Sequence, residues 1–359
     1  MPIYRKVGAR LTQMQELFSR NDNWLIIINA DPDAIASAMA LKRIMSRRTG
    51  KVFIARINEI TRPDNLTMLR QLYIPLVPWS ETLLPFFQKF ALVDSQPHHS
   101  PIFQDIPFSI VIDHHPILPE FPSKATYSDI RPEYGATSTI FTEYLRSLHI
   151  RPGRRLATAL QYGIRTDTGT FTRKFTDADI RAYQWLAKHA SNTLLIRITR
   201  SEYLQDWLKY FTRAFTSLHD CGKGKFAFLG NIENPDILVV VGDFFTKVYG
   251  LKWTAICGVY KEQVVIVFRG DESIDLGKFA SERFSSLGSA GGHRAMARAE
   301  FPLKLVEGKN LEVFIFRKLS ERLHSKKKNS KKESENNEEL STKEEHKHPS
   351  EPLNTNQTS

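Results

Sequence analysis

The chain has 359 residues, of which 41% are hydrophobic and 25% are charged, and its formal net charge is +11. This composition is typical of a globular protein with two domains, and two cysteines exclude a disulfide-rich class. Lysines and glutamates cancel over 325–359, with seven of each, so the positive excess belongs to 1–324. Such a basic body favours a polyanionic partner such as a nucleic acid or a nucleotide, although an inert basic surface explains the charge equally well.

No stretch of the sequence predicts contact with a membrane. The longest apolar runs, such as 237–241, are far shorter than the roughly 20 residues that a membrane-spanning helix needs. Residues 1–20 carry charges where a signal peptide has an apolar core. We therefore expect a cytoplasmic protein with no membrane partner. The stretch 325–359 is rich in Lys, Glu, Ser and Asn, which predicts a disordered tail.

Strands and helices are predicted to alternate over the first 200 residues. Continuous apolar runs predict four buried strands, at 24–29, 51–57, 90–94 and 109–115. Apolar residues at helical spacing predict helices before and between them, at 1–20, 34–48 and 64–72, and further helices after them, opened by the stretch 135–139, from about 154 and over 176–190. This order predicts an α/β fold with a parallel sheet and right-handed connections.

Acidic residues follow the ends of the predicted strands. Asp31 and Asp33 flank a proline after the first strand, Asp94 ends the third, and Asp113 precedes two histidines and a proline. A parallel sheet brings such ends to one edge, where ligands bind. Each position alone also has a plain structural explanation, since Asp33 could be an N-cap and the Asp-His-His stretch a hydrogen-bonded turn. A fifth aspartate, Asp167, lies in a segment rich in Thr and Gly that predicts a polar turn.

Taken together, these side chains indicate a metal centre. Carboxylate oxygen dominates the set and imidazole is the minor donor, which suits manganese or magnesium better than zinc or copper. Two ions a few ångströms apart can activate water and stabilise a leaving oxygen, so the set indicates hydrolysis of a phosphate ester. The set consists of Asp31, Asp33, Asp94, Asp113, His114, His115 and Asp167.

A second domain is predicted after residue 220. A helix over 202–218 leads out of the first domain, and a strand, a helix, a hairpin turning at Lys261 and Glu262, and two more helices follow. We expect the domains to be 1–200, a linker helix 201–220, a smaller α/β domain 221–324 and the tail 325–359. The stretch Gly291-Gly292-His293 allows close approach of another backbone, and a flexible surface loop is an equally good interpretation.

Five motifs in order resemble those of the DHH phosphoesterases. They are Asp-Pro-Asp-Ala-Ile-Ala-Ser at 31–37, Asp94, Asp-His-His at 113–115, Gly-Ile-Arg-Thr-Asp-Thr-Gly at 163–169, and Gly-Gly-His at 291–293. The resemblance covers residues 20 to about 320. It is strongest to the oligoribonuclease and pAp-phosphatase branch, which carries a DHH-associated domain at the carboxyl end.

The resemblance implies a role for each matching residue. Asp31 would serve one manganese ion, Asp33, His114 and Asp167 a second, and Asp94 would bridge the two. Asp113 would orient the neighbouring imidazole, and His115 would face the scissile phosphate. The smaller domain would grip the substrate with Arg269, Gly291, Gly292 and His293. The implied activity is exonuclease-like hydrolysis of short oligonucleotides, of nucleoside bisphosphates such as pAp, or of dinucleotides, by a metal-bound hydroxide. The oligomeric state stays open, with a homodimer as one option.

Two departures from the family pattern bear on this expectation. Ile27 occupies the position where active members usually carry a ligand histidine, so one ion site is expected to be weak, with Asn29 as a poorer substitute on the same side of the strand. Ala290 and Arg298 replace small or glycine residues of the last motif, which puts substrate choice in doubt. A nucleotide-binding or regulatory protein with an impaired metal centre is therefore the main alternative, and a single-strand exonuclease of the RecJ type is a third.

Overall fold

The computed structural model describes residues 2–201 and 203–321. The tail predicted over 325–359 lies outside these residues. Two compact units form, the first from the residues up to Thr212 together with Asn234–Val240, and the second from Arg213–Glu233 and from Val241 onward. Across the described ranges, no helix is both long enough and apolar enough to cross a bilayer.

A six-stranded sheet forms the centre of the first unit. Its strand order is β3-β2-β1-β4-β5-β6, and every neighbouring pair is parallel, which confirms the predicted parallel α/β fold. Strands β1, β4 and β5 are adjacent, so their carboxyl ends lie side by side. The strands are β1 Trp24–Ile28, β2 Val52–Arg56, β3 Val77–Pro78, β4 Lys89–Val93, β5 Phe108–Asp113 and β6 Tyr127–Ile130.

Helices connect the strands and continue after the sheet is complete. They are α1 Pro2–Glu16, α2 Pro32–Met45, α3 Pro63–Leu72, α4 Pro101–Gln104, α5 Thr137–Ser147, α6 Arg154–Asp167, α7 Asp177–Ala187, α8 Asn192–Thr199 and α9 Leu208–Thr216. Helix α2 begins with a proline at its first position, where no backbone N–H is needed. Helix α6 packs along α2.

Both faces of the sheet are buried at its central strand β1. All five side chains of β1 are inaccessible to solvent, with Ile26 and Ile28 packed in one apolar cluster and Leu25 and Ile27 in another. Burial on both faces removes the apolar–polar alternation of a half-exposed strand, and it explains why β1 reads as an unbroken apolar run.

A second six-stranded sheet forms the centre of the second unit. Its order is β11-β12-β10-β9-β8-β7, with β8 and β9 parallel and the other pairs antiparallel. Lys261 and Glu262 form the tight turn of the predicted β9–β10 hairpin, both with positive φ as a two-residue turn requires. The elements that follow α9 are β7 His219–Cys221, β8 Gly224–Asn231, α10 Asp236–Phe245, β9 Trp253–Tyr260, β10 Gln263–Gly270, α11 Leu276–Phe284, β11 Ser289–Gly292, β12 Met296–Pro302 and α12 Leu311–Ser320. Helix α10 begins in the first unit and ends in the second.

Two segments that were expected to be irregular are regular. The interpretation of Asp167 as part of a polar turn was wrong, because α6 continues through it. Hydroxyl groups of Thr166 and Thr168 donate to the carbonyls of Gly163 and Ile164 on the preceding turn, so these residues fit inside the helix end. The loop considered for Gly291 and Gly292 is the short strand β11, paired with β12.

The paired glycines of β11 give a matched test of this packing. A Cβ at Gly292 would lie 2.4 Å from the Met296 carbonyl oxygen, and its φ of 150° disfavours other residues, whereas a Cβ at Gly291 would meet nothing within 4 Å. We expect Gly292→Ala to lower the free energy of unfolding by about 1–3 kcal/mol, and Gly291→Ala to change it by less than about 0.5 kcal/mol. Urea unfolding of both variants measures this difference. Equal values would mean that β11 does not pack as described.

Candidate metal centre

Three aspartates and a histidine from four parts of the first unit converge at the carboxyl edge of its sheet. Asp33 lies in the first turn of α2, Asp94 follows β4, and His114 follows the last residue of β5. Asp167 reaches the same place from the end of α6. One ligand atom from each of Asp33, Asp94, His114 and Asp167 lies within 4.8 Å of all the others.

The imidazole of His114 lies among the three carboxylates. Its Nε2 is 3.2 Å from Asp167 Oδ2, 3.6 Å from Asp94 Oδ1 and 4.0 Å from Asp33 Oδ2. On the other side of the ring, Nδ1 lies 3.3 Å from the carbonyl oxygen of Tyr134, to which it can donate. Nε2 is buried and has no hydrogen-bond partner among residues 2–201 and 203–321. One ring nitrogen held by a carbonyl, with the other aimed at carboxylates, is the usual arrangement of a metal-binding histidine.

The amino end of α5 holds Asp33 in place. Backbone N–H groups of Thr137 and Ser138 donate to its two carboxylate oxygens at 2.6 and 2.8 Å. The hydroxyl of Thr137 donates to Asp94 Oδ1 at 2.7 Å, so the same helix end fixes two of the converging carboxylates. A helix amino terminus stabilises negative charge, which makes it a suitable support for a buried carboxylate.

A glycine allows α6 to approach this cluster. A Cβ on Gly163 would lie 2.6 Å from Ser138 Oγ and 3.0 Å from Asp33 Oδ1, so a larger residue would press on the supporting network. The position of Asp167 one turn further along α6 depends on this close approach.

Asp31 caps α2 at the border of the cluster. Its Oδ1 accepts a hydrogen bond from the N–H of Ala34 at 2.9 Å. The N-cap role weighed for Asp33 therefore belongs to Asp31. Asp31 is not among the four residues whose ligand atoms converge in the described chain, although its charge acts on both Asp33 and Asp167.

Asp113 orients the second histidine of the motif. Its Oδ1 lies 2.8 Å from His115 Nδ1, and its Oδ2 accepts from Gln96 Nε2 at 2.8 Å. Gln96 also donates to the backbone carbonyls of His115 and Pro116, so it ties β4 to the turn after β5. His99 lies close enough to form a further cluster with Asp113 and His115.

Sequence reasoning had overlooked several of these supporting residues. Neither Gln96 nor the hydroxyl residues at the start of α5 were among the candidate site residues. Their polar character directly after a strand or at a helix start was the available signal. Their partners, however, are set by tertiary packing between segments that are up to 105 residues apart.

Burial and mutual repulsion raise the pKa values of the clustered carboxylates. Burial, followed by the charges of Asp167 and Asp33, raises the pKa of Asp31 to about 8. Burial and the charge of Asp167 raise the pKa of Asp33 to about 6. The pKa of Asp94 is well above its usual value for the same reasons, with Asp33 as its strongest neighbour. A divalent cation would relieve this excess negative charge.

The two histidines respond to the same charges. Burial alone would lower the pKa of His114, but the contact with Asp167 and the charge of Asp33 raise it to about 9. The hydrogen bond with Asp113 raises the pKa of His115. For Asp113, burial acts upward, but the bonds from His115 and Gln96 outweigh it, so its pKa lies below the usual value.

Ile27 contributes no ligand. Its side chain is fully buried in the apolar layer that also contains Leu25, Leu92 and Val111. Asn29 is exposed at the end of β1. The donor set of three carboxylates and His114 exists without residue 27, so the residues present fit a hard divalent cation.

The residues expected to grip the substrate lie on the sheet of the second unit. On β10, Arg269 Nε donates to Asp243 Oδ1 at 2.7 Å. Gly291 and Gly292 are the last two residues of β11. The side chain of His293, which follows, is exposed, and its backbone N–H donates to the carbonyl oxygen of Met296 at 2.7 Å. Arg298 pairs with Glu300 at 2.9 Å. A role for these residues in binding substrate stays a prediction.

Comparison with known proteins identifies the first unit. Residues 23–164 match the DHH family, N-terminal domain, so the chain contains a DHH domain, as its motifs predicted. An uncharacterized protein of Methanocaldococcus jannaschii is 34% identical over 278 residues, which cover 77% of this chain and 57% of that protein. This chain therefore spans less than two thirds of the length of that relative.

A solved structure shares the fold. The exopolyphosphatase-related protein from Bacteroides fragilis superposes with a TM-score of 0.70 and 15% identity, over 88% of this chain and 96% of that one. At this identity the likeness establishes the fold, and it extends through both units.

The pKa shifts predict how stability depends on pH. In metal-free protein, the raised pKa values of Asp31 and Asp33 make folding less favourable as pH rises above 3.8 toward about 8. The contribution of His114 to the free energy of unfolding is complete below pH 6.5 and is lost as pH rises through about 9. Both effects therefore make the metal-free protein less stable as pH rises. Manganese should therefore raise the Tm by several degrees more at pH 8 than at pH 6, because it needs deprotonated ligands.

Thermal unfolding in EDTA and in manganese chloride at the two pH values measures this effect. Asp94→Asn should remove most of the difference between pH 8 and pH 6. The exposed Asp177 provides the matched control, since Asp177→Asn leaves the centre intact. A manganese effect of equal size at both pH values would contradict the assignment of the ligands.

Proposed function

We propose that this chain is a metal-dependent phosphoesterase that hydrolyses short oligonucleotides, nucleoside bisphosphates such as pAp, or dinucleotides. The observation that carries the proposal is the buried Nε2 of His114, which lies within 4.0 Å of three carboxylates in a DHH domain. The net charge of +11 supports an anionic substrate.

The cofactor is proposed to be manganese or magnesium. Asp33, His114 and Asp167 would hold one ion, Asp31 a second and weaker one, and Asp94 would lie between them, since its carboxylate interacts with all three of the other aspartates. When bound, such ions supply a water activated for attack on phosphorus and stabilise charge on the leaving oxygen.

His115 is the group best placed to act on the substrate itself. Its side chain is 43% exposed, while Asp113 beneath it is fully buried and binds Nδ1. This contact raises the pKa of His115, which keeps the ring protonated to higher pH. The outer ring nitrogen can then donate a proton or a hydrogen bond to a phosphate oxygen or to the leaving group.

The main alternative is a nucleotide-binding or regulatory protein whose metal centre has lost its activity. The specific observation in its favour is Ile27, which fills the place of a ligand histidine with a fully buried apolar side chain. In that case substrate or nucleotide would bind without turnover.

Turnover by the natural protein separates these two functions. Purified chain with manganese is incubated with 5′-labelled dinucleotides, pAp and cyclic dinucleotides, and Asp94→Asn controls for contaminating nucleases. We expect the wild type to hydrolyse at least one of them. Activity only in Ile27→His would make the natural protein a binder. No hydrolysis of any substrate, with manganese bound, would refute the phosphoesterase.

Paired substitutions test the division of roles between the two units. Asp94→Asn removes a charge that acts on the whole cluster, so we expect kcat to fall about a hundredfold or more and bound manganese to decrease in calorimetry. His293→Ala is expected to raise KM with little change in kcat, because it would bind the substrate away from the reacting atoms. An equal collapse of kcat in both variants would show that the role of His293 is misassigned.

A further inference from the structure

A cavity of about 820 Å³ lies in the first unit, away from the metal centre. It is lined by the last turn of α2, the start of β2, the end of α3 and the first turn of α6. The metal centre lies at the opposite ends of the same helices, since Asp33 is in the first turn of α2 and Asp167 is the last residue of α6. A helix of 14 residues is about 20 Å long, so the two sites are separate.

The lining of this cavity is strongly basic. Five cationic side chains contribute to it and no Asp or Glu does: Lys42, Arg43, Arg47, Arg154 and Arg155. Within residues 2–201 and 203–321, none of the five forms an ion pair with a carboxylate. Burial lowers the pKa of Lys42, with no acidic neighbour acting in the other direction. Uncompensated cations facing one cavity attract an anion.

Helix stability accounts for only some of these cations. Lys42 and Arg43 lie in the last turn of α2, where positive charge suits the helix dipole. Arg154 and Arg155 lie in the first turn of α6, where positive charge opposes the dipole and where this helix has no acidic residue. The two arginines of α6 therefore need another explanation.

The inner wall of the cavity is apolar. Its side chains come from the core, namely Met39, Val52, Ile54, Leu72 and Leu156. The guanidinium of Arg155, which lines the cavity, stacks on the exposed ring of Tyr73 at 4.2 Å from its centroid, so one of the cations lies against a flat aromatic surface. Inorganic phosphate alone would leave this apolar surface without a partner.

We propose that the cavity binds a nucleoside polyphosphate, with the phosphates on the arginines and the lysine and the base against the apolar wall. The volume lies within the range of about 300–1,000 Å³ that small-molecule sites occupy. A polyphosphate carries several negative charges, which the cluster of five cations can neutralise. Arginine binds phosphate through paired N–H groups. The site is independent of turnover at the metal centre.

Calorimetric titration with ATP tests the proposal on the full chain in EDTA, which removes divalent ions from the metal centre. We expect one ATP per chain in the wild type. Arg154→Ser/Arg155→Ser should weaken binding about tenfold or more, because it removes two charge-assisted contacts without opposing the α6 dipole. The matched control is Arg181→Ser/Lys188→Ser, which removes the same charge from the exposed side of α7 and from the residue that follows it, and should change the affinity less than twofold.

Further titrations decide between occupants. Adenosine and tripolyphosphate should each bind at least tenfold more weakly than ATP, and Asp94→Asn should bind ATP as the wild type does. The proposal is overturned if the wild type does not bind ATP or if both double variants lose it equally. Tripolyphosphate binding as tightly as ATP, or a single-stranded oligonucleotide displacing ATP at lower concentration, would likewise overturn it. Loss of ATP in Asp94→Asn would place the nucleotide at the metal centre instead.

Discussion

Repulsion among buried and partly buried carboxylates is the constraint on which the first unit depends. Asp33 and Asp94 are buried and Asp31 and Asp167 are partly exposed, and burial together with their mutual repulsion raises the pKa values of Asp31, Asp33 and Asp94. Only part of this repulsion is offset within the protein, by His114 at the centre and by the amino end of α5 beneath Asp33. Keeping these like charges together lowers the free energy of unfolding of the metal-free protein. A divalent cation that binds between them removes this cost.

The arrangement of the sheet explains how much of this site could be predicted from sequence. Asp94 and Asp113 could be placed because adjacent parallel strands end at one edge, and the strands themselves are unbroken apolar runs. Asp167 was included in the set and the helix from about 154 was predicted, but the continuation of that helix through Asp167 was not, since threonine hydroxyls that bond to the backbone are equally common in turns.

The supporting contacts could not be predicted, and the reason is physical. Gln96 reaches Asp113 across a gap of 17 residues, and the N–H groups that hold Asp33 lie more than 100 residues away from it. No local pattern encodes such partners, because they depend on how α5 and the loop after β4 pack against the sheet. In the second unit, β11 was overlooked for a related reason, since glycine pairs carry little strand propensity and only the pairing with β12 orders them.

Helices α2 and α6 pack side by side and each has one end at the acidic cluster and the other at the basic cavity. A displacement of either helix along its axis therefore moves carboxylates at one end and cations at the other by the same amount. If the affinity of a ligand for the cavity depends on that displacement, its binding and the binding of metal are coupled. By thermodynamic reciprocity, the ligand then changes the affinity for metal by the same factor by which metal changes the affinity for the ligand.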